Sequence, residues 1–150
     1  MKQQQQGFTI IELIVVIVIL GILAATALPR FADLRGEANL AKMQGLAGGL
    51  RAAVEVTRAK WLAAGSTAAT TATMADGTTV AVGTAGTAAG VPTAAGILNA
   101  IGSTSGYVTS GAVNFDPSGV TAGNCQVNYN PATGIVTTTP ATLTASGCAN

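Results

Sequence analysis

The chain lacks histidine altogether, and charged residues make up only 9% and aromatic residues 4% of its 150 positions. Without histidine it can form no Ser-His or Cys-His nucleophile pair, and it lacks the commonest general base and metal ligand. Seven basic residues against six acidic ones give a net charge of +1 with no basic cluster, which argues against nucleic-acid binding. The composition therefore predicts a protein that is not an enzyme, with no catalytic residue, no metal, no cofactor and no nucleic-acid partner.

The chain does have a long apolar run near its N-terminus. Residues 13–28 are apolar apart from Gly21 and Thr26, and residues 8–11 extend the run across Glu12. A helix over the whole run would be about 30 Å long, which is the hydrocarbon thickness of a bilayer. The run therefore predicts a helix of membrane length.

Three interpretations of this run stay open on the residues alone. Lys2 and an A-x-A site at residues 25–27 suggest a cleaved secretory signal, although the acidic Glu12 stands where such signals carry positive charge. An uncleaved membrane anchor has the right length, but a charged glutamate at membrane depth costs about 3 kcal/mol. In the third interpretation, a cut between Gly7 and Phe8 creates a cationic α-amino group that neutralises Glu12 of a neighbouring helix.

Glu12 also has a simpler explanation as a helix cap. Thr9 and Glu12 fit the [ST]-x-x-[DE] capping box that opens a helix, and the positive end of the helix dipole favours a carboxylate there. An ionisable group inside a membrane segment is nevertheless a functional-site hypothesis by default, which favours a charged partner over capping alone.

The segment GFTIIEL at residues 7–13, with the apolar run and Pro29 behind it, resembles a type IV prepilin. The continuation to about residue 60 is most similar to pilins of the mannose-sensitive haemagglutinin type. The resemblance implies that a prepilin peptidase cuts after Gly7 and N-methylates Phe8. It also implies that Phe8 and Glu12 carry filament assembly, with the Glu12 carboxylate neutralising the amine of an adjacent subunit.

The resemblance further implies a structural subunit of a surface filament for adhesion or motility. Its expected partners are copies of itself, the prepilin peptidase, the pilus assembly machinery and the inner membrane. Before assembly the chain is expected to cross the inner membrane once with a cytoplasmic N-terminus, and after assembly it is expected in the extracellular pilus. The positive-inside rule alone leans the other way, because Arg30, Arg35 and Lys42 follow the run. The alternatives are a pseudopilin of a type II secretion system and an adhesin or receptor domain on a membrane anchor.

We expect four segments along the chain: a leader at residues 1–7, a membrane and filament-core helix at 8–29, an amphipathic helix at 30–64 and a globular head at 65–150. Glycine in a helix interior costs about 1 kcal/mol and proline about 3 kcal/mol. The section from Gly21 to Pro29 is therefore expected to be the softest part of the rod.

Beyond Pro29 the apolar residues recur at steps of three and four, which predicts an amphipathic helix. Its apolar face consists of Leu40, Met43, Ala47, Leu50, Val54, Thr57 and Trp61, and its solvated face of Lys42, Arg51, Glu55, Arg58 and Lys60. We expect the apolar face to pack on the head with Trp61 in the core, and the helix to end near Gly65.

The head predicts an antiparallel sheet. Residues 65–90 are rich in alanine, glycine and threonine and predict a long surface loop with one short strand at residues 78–82. A helical turn at residues 97–101 and strands at residues 108–115, 125–129, 134–139 and 142–145 are expected to follow. The predicted fold class is α+β, with a long N-terminal α-helix packed on a C-terminal antiparallel β-sheet, as in the type IV pilin fold.

Cys125 and Cys148 are the only cysteines, and both follow the apolar run. This arrangement favours one disulfide on the oxidising side of a membrane, with two reduced buried thiols as the alternative. The pilin resemblance implies that such a pair bounds a region that staples the last strands to the sheet.

Overall fold

The fold is built on one long helix. The computed structural model describes residues 8–65, 68–111 and 113–149, without the side chains of residues 28–33. Helix α1 extends over Ile10–Ala63 and continues through position 29. Ala64 caps its end and Gly65 follows with a φ of 65°, a left-handed conformation that glycine adopts easily. The expected helix end near Gly65 is therefore confirmed.

A hairpin, a short helix and a sheet follow α1. They comprise strands β1 (Thr71–Thr73) and β2 (Thr79–Ala81), a 3₁₀ turn (Gly86–Ala88), helix α2 (Ala94–Ile101) and strands β3 (Tyr107–Ser110), β4 (Asn114–Pro117), β5 (Gln126–Tyr129) and β6 (Val136–Thr139). The last four strands form an antiparallel meander in the order β3-β4-β5-β6. This architecture confirms the α+β class, with a long N-terminal helix and a C-terminal antiparallel sheet.

The main core lies between α1 and this sheet. From the predicted apolar face, Leu40 is partly buried and the other six residues are buried. Those from Met43 to Val54 share one buried cluster with sheet residues that include Phe115, Val127 and Tyr129. The Tyr129 hydroxyl donates a 2.6 Å hydrogen bond to the Pro92 carbonyl, and burial raises the pKa of this tyrosine above its ordinary value. The prediction that α1 packs on the head of its own chain is confirmed.

A second, smaller core forms where the sequence predicted a surface loop. Trp61 is only 4% exposed and packs with Ala72 of β1 and Val80 of β2, while its Nε1 donates a 2.8 Å hydrogen bond to the Ala69 carbonyl. Gly90, at a φ of 72°, lies so close that a Cβ would come within 2.8 Å of Trp61 Cε3. The core position of Trp61 is confirmed, and the strand predicted at residues 78–82 is confirmed as β2. The loop prediction for the rest of residues 65–90 missed β1, and with it the hairpin.

Two of the predicted strands are wrong. Residues 108–115 form two strands, β3 and β4, because Gly111 takes a φ of 64° and the chain reverses there. Residues 142–145 form no strand: the Cys148 N–H donates to the Thr144 carbonyl at 3.1 Å, which closes a turn. The strands predicted near 125–129 and 134–139 and the helical turn near 97–101 are confirmed as β5, β6 and α2.

The solvated face of α1 is confirmed, because Arg51, Glu55, Arg58 and Lys60 are exposed and Lys42 is partly buried. Its centre carries small uncharged residues at helical spacing, all exposed: Ala41, Gly45, Gly48, Ala52 and Ala59. Apart from Glu55, the predicted charges lie along its flanks, where the Lys42 ammonium stands 4.4 Å from the Tyr107 ring centroid and Arg51 Nη2 donates to the Val136 carbonyl at 3.4 Å. The side of α1 that points away from the head is therefore uncharged along its midline from residue 41 to residue 52, and the exposed Glu55 follows one turn later.

Candidate functional site

A complete capping box opens α1. Thr9 is the N-cap, in extended conformation, and its hydroxyl accepts a 3.4 Å hydrogen bond from the Glu12 N–H. In return Glu12 Oε2 accepts a 2.9 Å bond from the Thr9 N–H and a 2.7 Å bond from the Thr9 hydroxyl. These bonds hold the carboxylate beside the first turn, where it also meets the positive end of the helix dipole.

No residue that the structure describes covers the apolar helix behind this cap. Residues Ile10–Ala27 are long and apolar enough to span a membrane, and none of this 18-residue segment is buried. Phe8, just ahead of the cap, is 94% exposed. An uncovered apolar surface of this size indicates a partner or a lipid environment. Gly7, the other residue of the predicted cleavage site, lies outside the described residues.

The predicted soft section lies within this uncovered part. A Cβ at Gly21 would meet nothing within 4 Å, so the glycine is not required by packing inside the subunit. The Thr26 hydroxyl donates to the Leu23 carbonyl at 3.0 Å, a local bond that slightly destabilises helices and often bends them. The Pro29 side chain lies outside the described residues, and softening at Gly21 and Pro29 stays a prediction.

Cys125 and Cys148 form a disulfide, so neither is a free thiol. The buried Asp116 carboxylate bonds to residues on both sides of Cys125. Its Oδ1 accepts a hydrogen bond from the Gly123 N–H at 3.1 Å, and its Oδ2 accepts one from Gln126 Nε2 at 2.9 Å. Two donors therefore satisfy a carboxylate that burial would otherwise penalise. The role of Asp116 was missed at the sequence level, since the residue stood only as one of two isolated acids in the head.

The structure also gives reasons for Gly36 and Asn39, which the sequence left without a role. Gly36 is buried against the C-terminal turn, and Asn39 Nδ2 donates a 2.9 Å hydrogen bond to the Cys148 carbonyl. Neither contact has a signal in the sequence, because each joins residues more than 100 positions apart. The predicted assembly residues Phe8 and Glu12 lie at one end of α1, and the predicted disulfide lies in the head.

One known protein family matches the N-terminal part of the chain. A family profile described as "Prokaryotic N-terminal methylation motif" matches residues 2–28. This span includes the capping box and the uncovered apolar helix.

The chain is also similar to several pilus and fimbrial proteins. The chain is 50% identical over 54 residues to the fimbrial protein EcpC of Eikenella corrodens, which covers 36% of this chain and 35% of that protein. It is 51% identical over 51 residues to the type IV narrow pilus major component PilA5 of Thermus thermophilus, covering 34% and 44%. It is 44% identical over 64 residues to the type IV major pilin protein PilE1 of Neisseria gonorrhoeae, covering 41% and 39%.

The chain thus spans well under half the length of the curated relatives it matches. No solved structure matches it significantly. The methylation motif and these relatives show that the N-terminal part of the chain is similar to type IV pilus and fimbrial proteins. The finer likeness to pilins of the mannose-sensitive haemagglutinin type stays a prediction.

Proposed function

We propose that this chain is a structural subunit of a type IV pilus, which waits in the inner membrane and polymerises through α1 into a surface filament. The observation that carries the proposal is the capped, apolar helix segment Ile10–Ala27, in which Glu12 is the one charged residue and which the described part of the folded head leaves uncovered. An apolar rod of about 27 Å fits a bilayer and equally fits a bundle of its own copies. The same surface can therefore serve first as an anchor and then as an interface.

In this proposal the prepilin peptidase cuts the bond between Gly7 and Phe8 and methylates the new amine. Phe8 precedes the capping box, so the cut leaves the bonds between Thr9 and Glu12 intact. The secondary amine stays basic and is mostly cationic at neutral pH. It can then approach the Glu12 carboxylate of an adjacent subunit in the filament, which removes an otherwise unpaired charge from an apolar interior.

Mass spectrometry of the protein recovered from cells tests this processing. We expect the mass of residues 8–150 plus one methyl group, with the disulfide intact. Fragmentation should place the methyl group on the Phe8 nitrogen. A chain that keeps Met1, or one that starts at Leu28 after cleavage of an ordinary signal at the A-x-A site, would overturn the proposal.

The relatives named above are pilus and fimbrial proteins, which favours a surface pilus over a secretion-system pseudopilin. The subunit is accordingly structural, not an enzyme, and its partners are further copies and the pilus assembly machinery. Electron microscopy of cells with and without this chain tests the proposal directly. The proposal would be contradicted if deletion left the filaments unchanged and antibodies to the chain did not label the filaments of wild-type cells.

The neutral midline of α1 provides a further prediction. Ala52→Glu places a charge in the middle of the exposed face, far from the core, so we expect folding stability to change by no more than about 0.5 kcal/mol. If α1 packs against other copies along this face, the buried charge should strongly reduce filament yield, because no partner is provided for it. The control is Thr137→Glu on the exposed side of β6, which adds the same charge elsewhere.

Both variants are compared by thermal unfolding in detergent and by the amount of chain in sheared filaments. Equal yields from Ala52→Glu and Thr137→Glu would show that the midline of α1 remains exposed to solvent in the assembly.

A further inference from the structure

Gly36 is the one glycine of α1 that the fold requires within the described residues. A Cβ at Gly36 would overlap the Ala145 carbonyl oxygen and lie 3.2 Å from the Ala149 Cβ. At the other α1 glycines, Gly21, Gly45, Gly48 and Gly49, a Cβ would meet nothing within 4 Å. Gly36 therefore marks a place where another part of the chain lies directly against the helix backbone.

That part is the last stretch of the head, residues 143–149, which we call the C-terminal clasp. Leu143 and Cys148 anchor it in the main core, with 9% and 0% exposure. The disulfide to Cys125 closes it, and Asn39 Nδ2 holds the Cys148 carbonyl at 2.9 Å. The clasp therefore joins β5, through Cys125, to the early part of α1.

From residue 34 onward, the clasp makes the first contact between α1 and the head. Residues 8–26 are exposed, and from residue 34 onward Gly36 is the first buried position. Met43 of the main core comes seven residues later, about 10 Å along the helix. Over the part of α1 from residue 34 onward, the clasp therefore fixes the helix about two turns before the fully buried main core begins.

We propose that the C-terminal clasp is a disulfide-locked joint that fixes the base of the rod to the head. Closed, it holds residues 36–39 of α1; opened, it frees them while the sheet and the second core around Trp61 stay folded. In a filament, the joint would set how each head is placed relative to the rod. Only this consequence rests on the proposed function.

Chemical reduction opens the lock. A dithiol reductant breaks the bond between the two Sγ atoms, each sulfur takes up one electron and one proton, and the dithiol becomes a cyclic disulfide. The clasp contacts that remain include the Asn39 bond and the packing on Gly36 and around Leu143. Gly36→Ala disturbs the contact by a second route that leaves the disulfide in place.

Hydrogen exchange of the full-length chain in detergent, followed by mass spectrometry, tests the joint. We compare the oxidised chain, the chain reduced with dithiothreitol, Gly36→Ala and the control Gly45→Ala, which adds the same methyl group to an open helix position. Amides at residues 34–39 should exchange about tenfold or more faster after reduction and in Gly36→Ala. Residues 50–63 should keep their protection, and Gly45→Ala should show no increase anywhere.

Two results would overturn the joint: unchanged exchange at residues 34–39 in both the reduced chain and Gly36→Ala, or a uniform loss of protection across α1 and the sheet in both. Since this measurement uses the unassembled chain, it does not depend on filaments. If the wild-type chain forms no pili in cells, the proposed function fails while the exchange result stands. If pili form and exchange at residues 34–39 does not change, only the joint fails.

Discussion

Replacing Glu12 with alanine should leave the chain processed and inserted in the membrane but remove nearly all of its surface filaments. Truncating one partner of a buried ion pair costs about 3–5 kcal/mol, because the other charge remains without compensation. Applied to the Phe8 amine in a filament core, this weakens subunit association by more than about a hundredfold. The measurement is the ratio of chain in sheared filaments to processed chain in the membrane fraction.

Thr9→Val separates this role from helix capping. It removes the hydroxyl that bonds the Glu12 N–H and Oε2, at a cost of about 1 kcal/mol, while the carboxylate remains. If Glu12 serves assembly through its charge, Thr9→Val should retain most filaments and Glu12→Ala almost none. Equal loss in both variants would assign Glu12 to the cap alone, and normal filaments from Glu12→Ala would contradict its role in assembly.

Trp61→Ala is expected to have the largest effect on the stability of the head. Trp61 is almost fully buried and forms the centre of the second core with Ala72, Val80 and Val82, which are too small to close the space that it would leave. Truncation of a buried tryptophan costs about 3–5 kcal/mol. Urea denaturation of the full chain in detergent, followed by circular dichroism, measures this loss.

Trp61→Phe is the matched control for this effect. It keeps an aromatic ring against the hairpin but removes the N–H donor to the Ala69 carbonyl, so the expected loss is about 1–3 kcal/mol. Hydrogen exchange should rise first at residues 71–81 in both variants. If Trp61→Ala costs less than about 1 kcal/mol, the hairpin contributes no core and the segment behaves as the loop that its composition predicted.

The sequence was informative wherever one strong local pattern decided the structure. The apolar run, the Thr9–Glu12 spacing and the steps of three and four that lead to Trp61 each predicted a feature that the structure contains. In all these cases the signal comes from residues within a few helical turns. Hydrophobic periodicity and capping are local, so no knowledge of the tertiary fold was needed to use them.

The errors arose where a distant contact decides the structure. The hairpin at residues 71–81 consists mostly of small and hydroxyl-bearing residues, and its buried Ala72 and Val80 depend on Trp61, more than ten positions away, for a core. Thr142 to Ala145 alternate like a strand, but the disulfide at Cys148 and the packing of the clasp on Gly36 draw this stretch into a turn. Such pairings connect positions far apart in the chain, so local pattern cannot reveal them.

The capping box has one more consequence, for the enzyme that would process the chain. Phe8 and Thr9 lie ahead of the first helical residue, Ile10, and Thr9 has an extended backbone with a ψ of 149°. Peptidases bind their substrates in an extended conformation. The Thr9 and Glu12 side chains end the helix at Ile10, so that Phe8 and Thr9 stay outside it. In the proposed processing, the peptidase therefore binds this backbone without unwinding a helical turn.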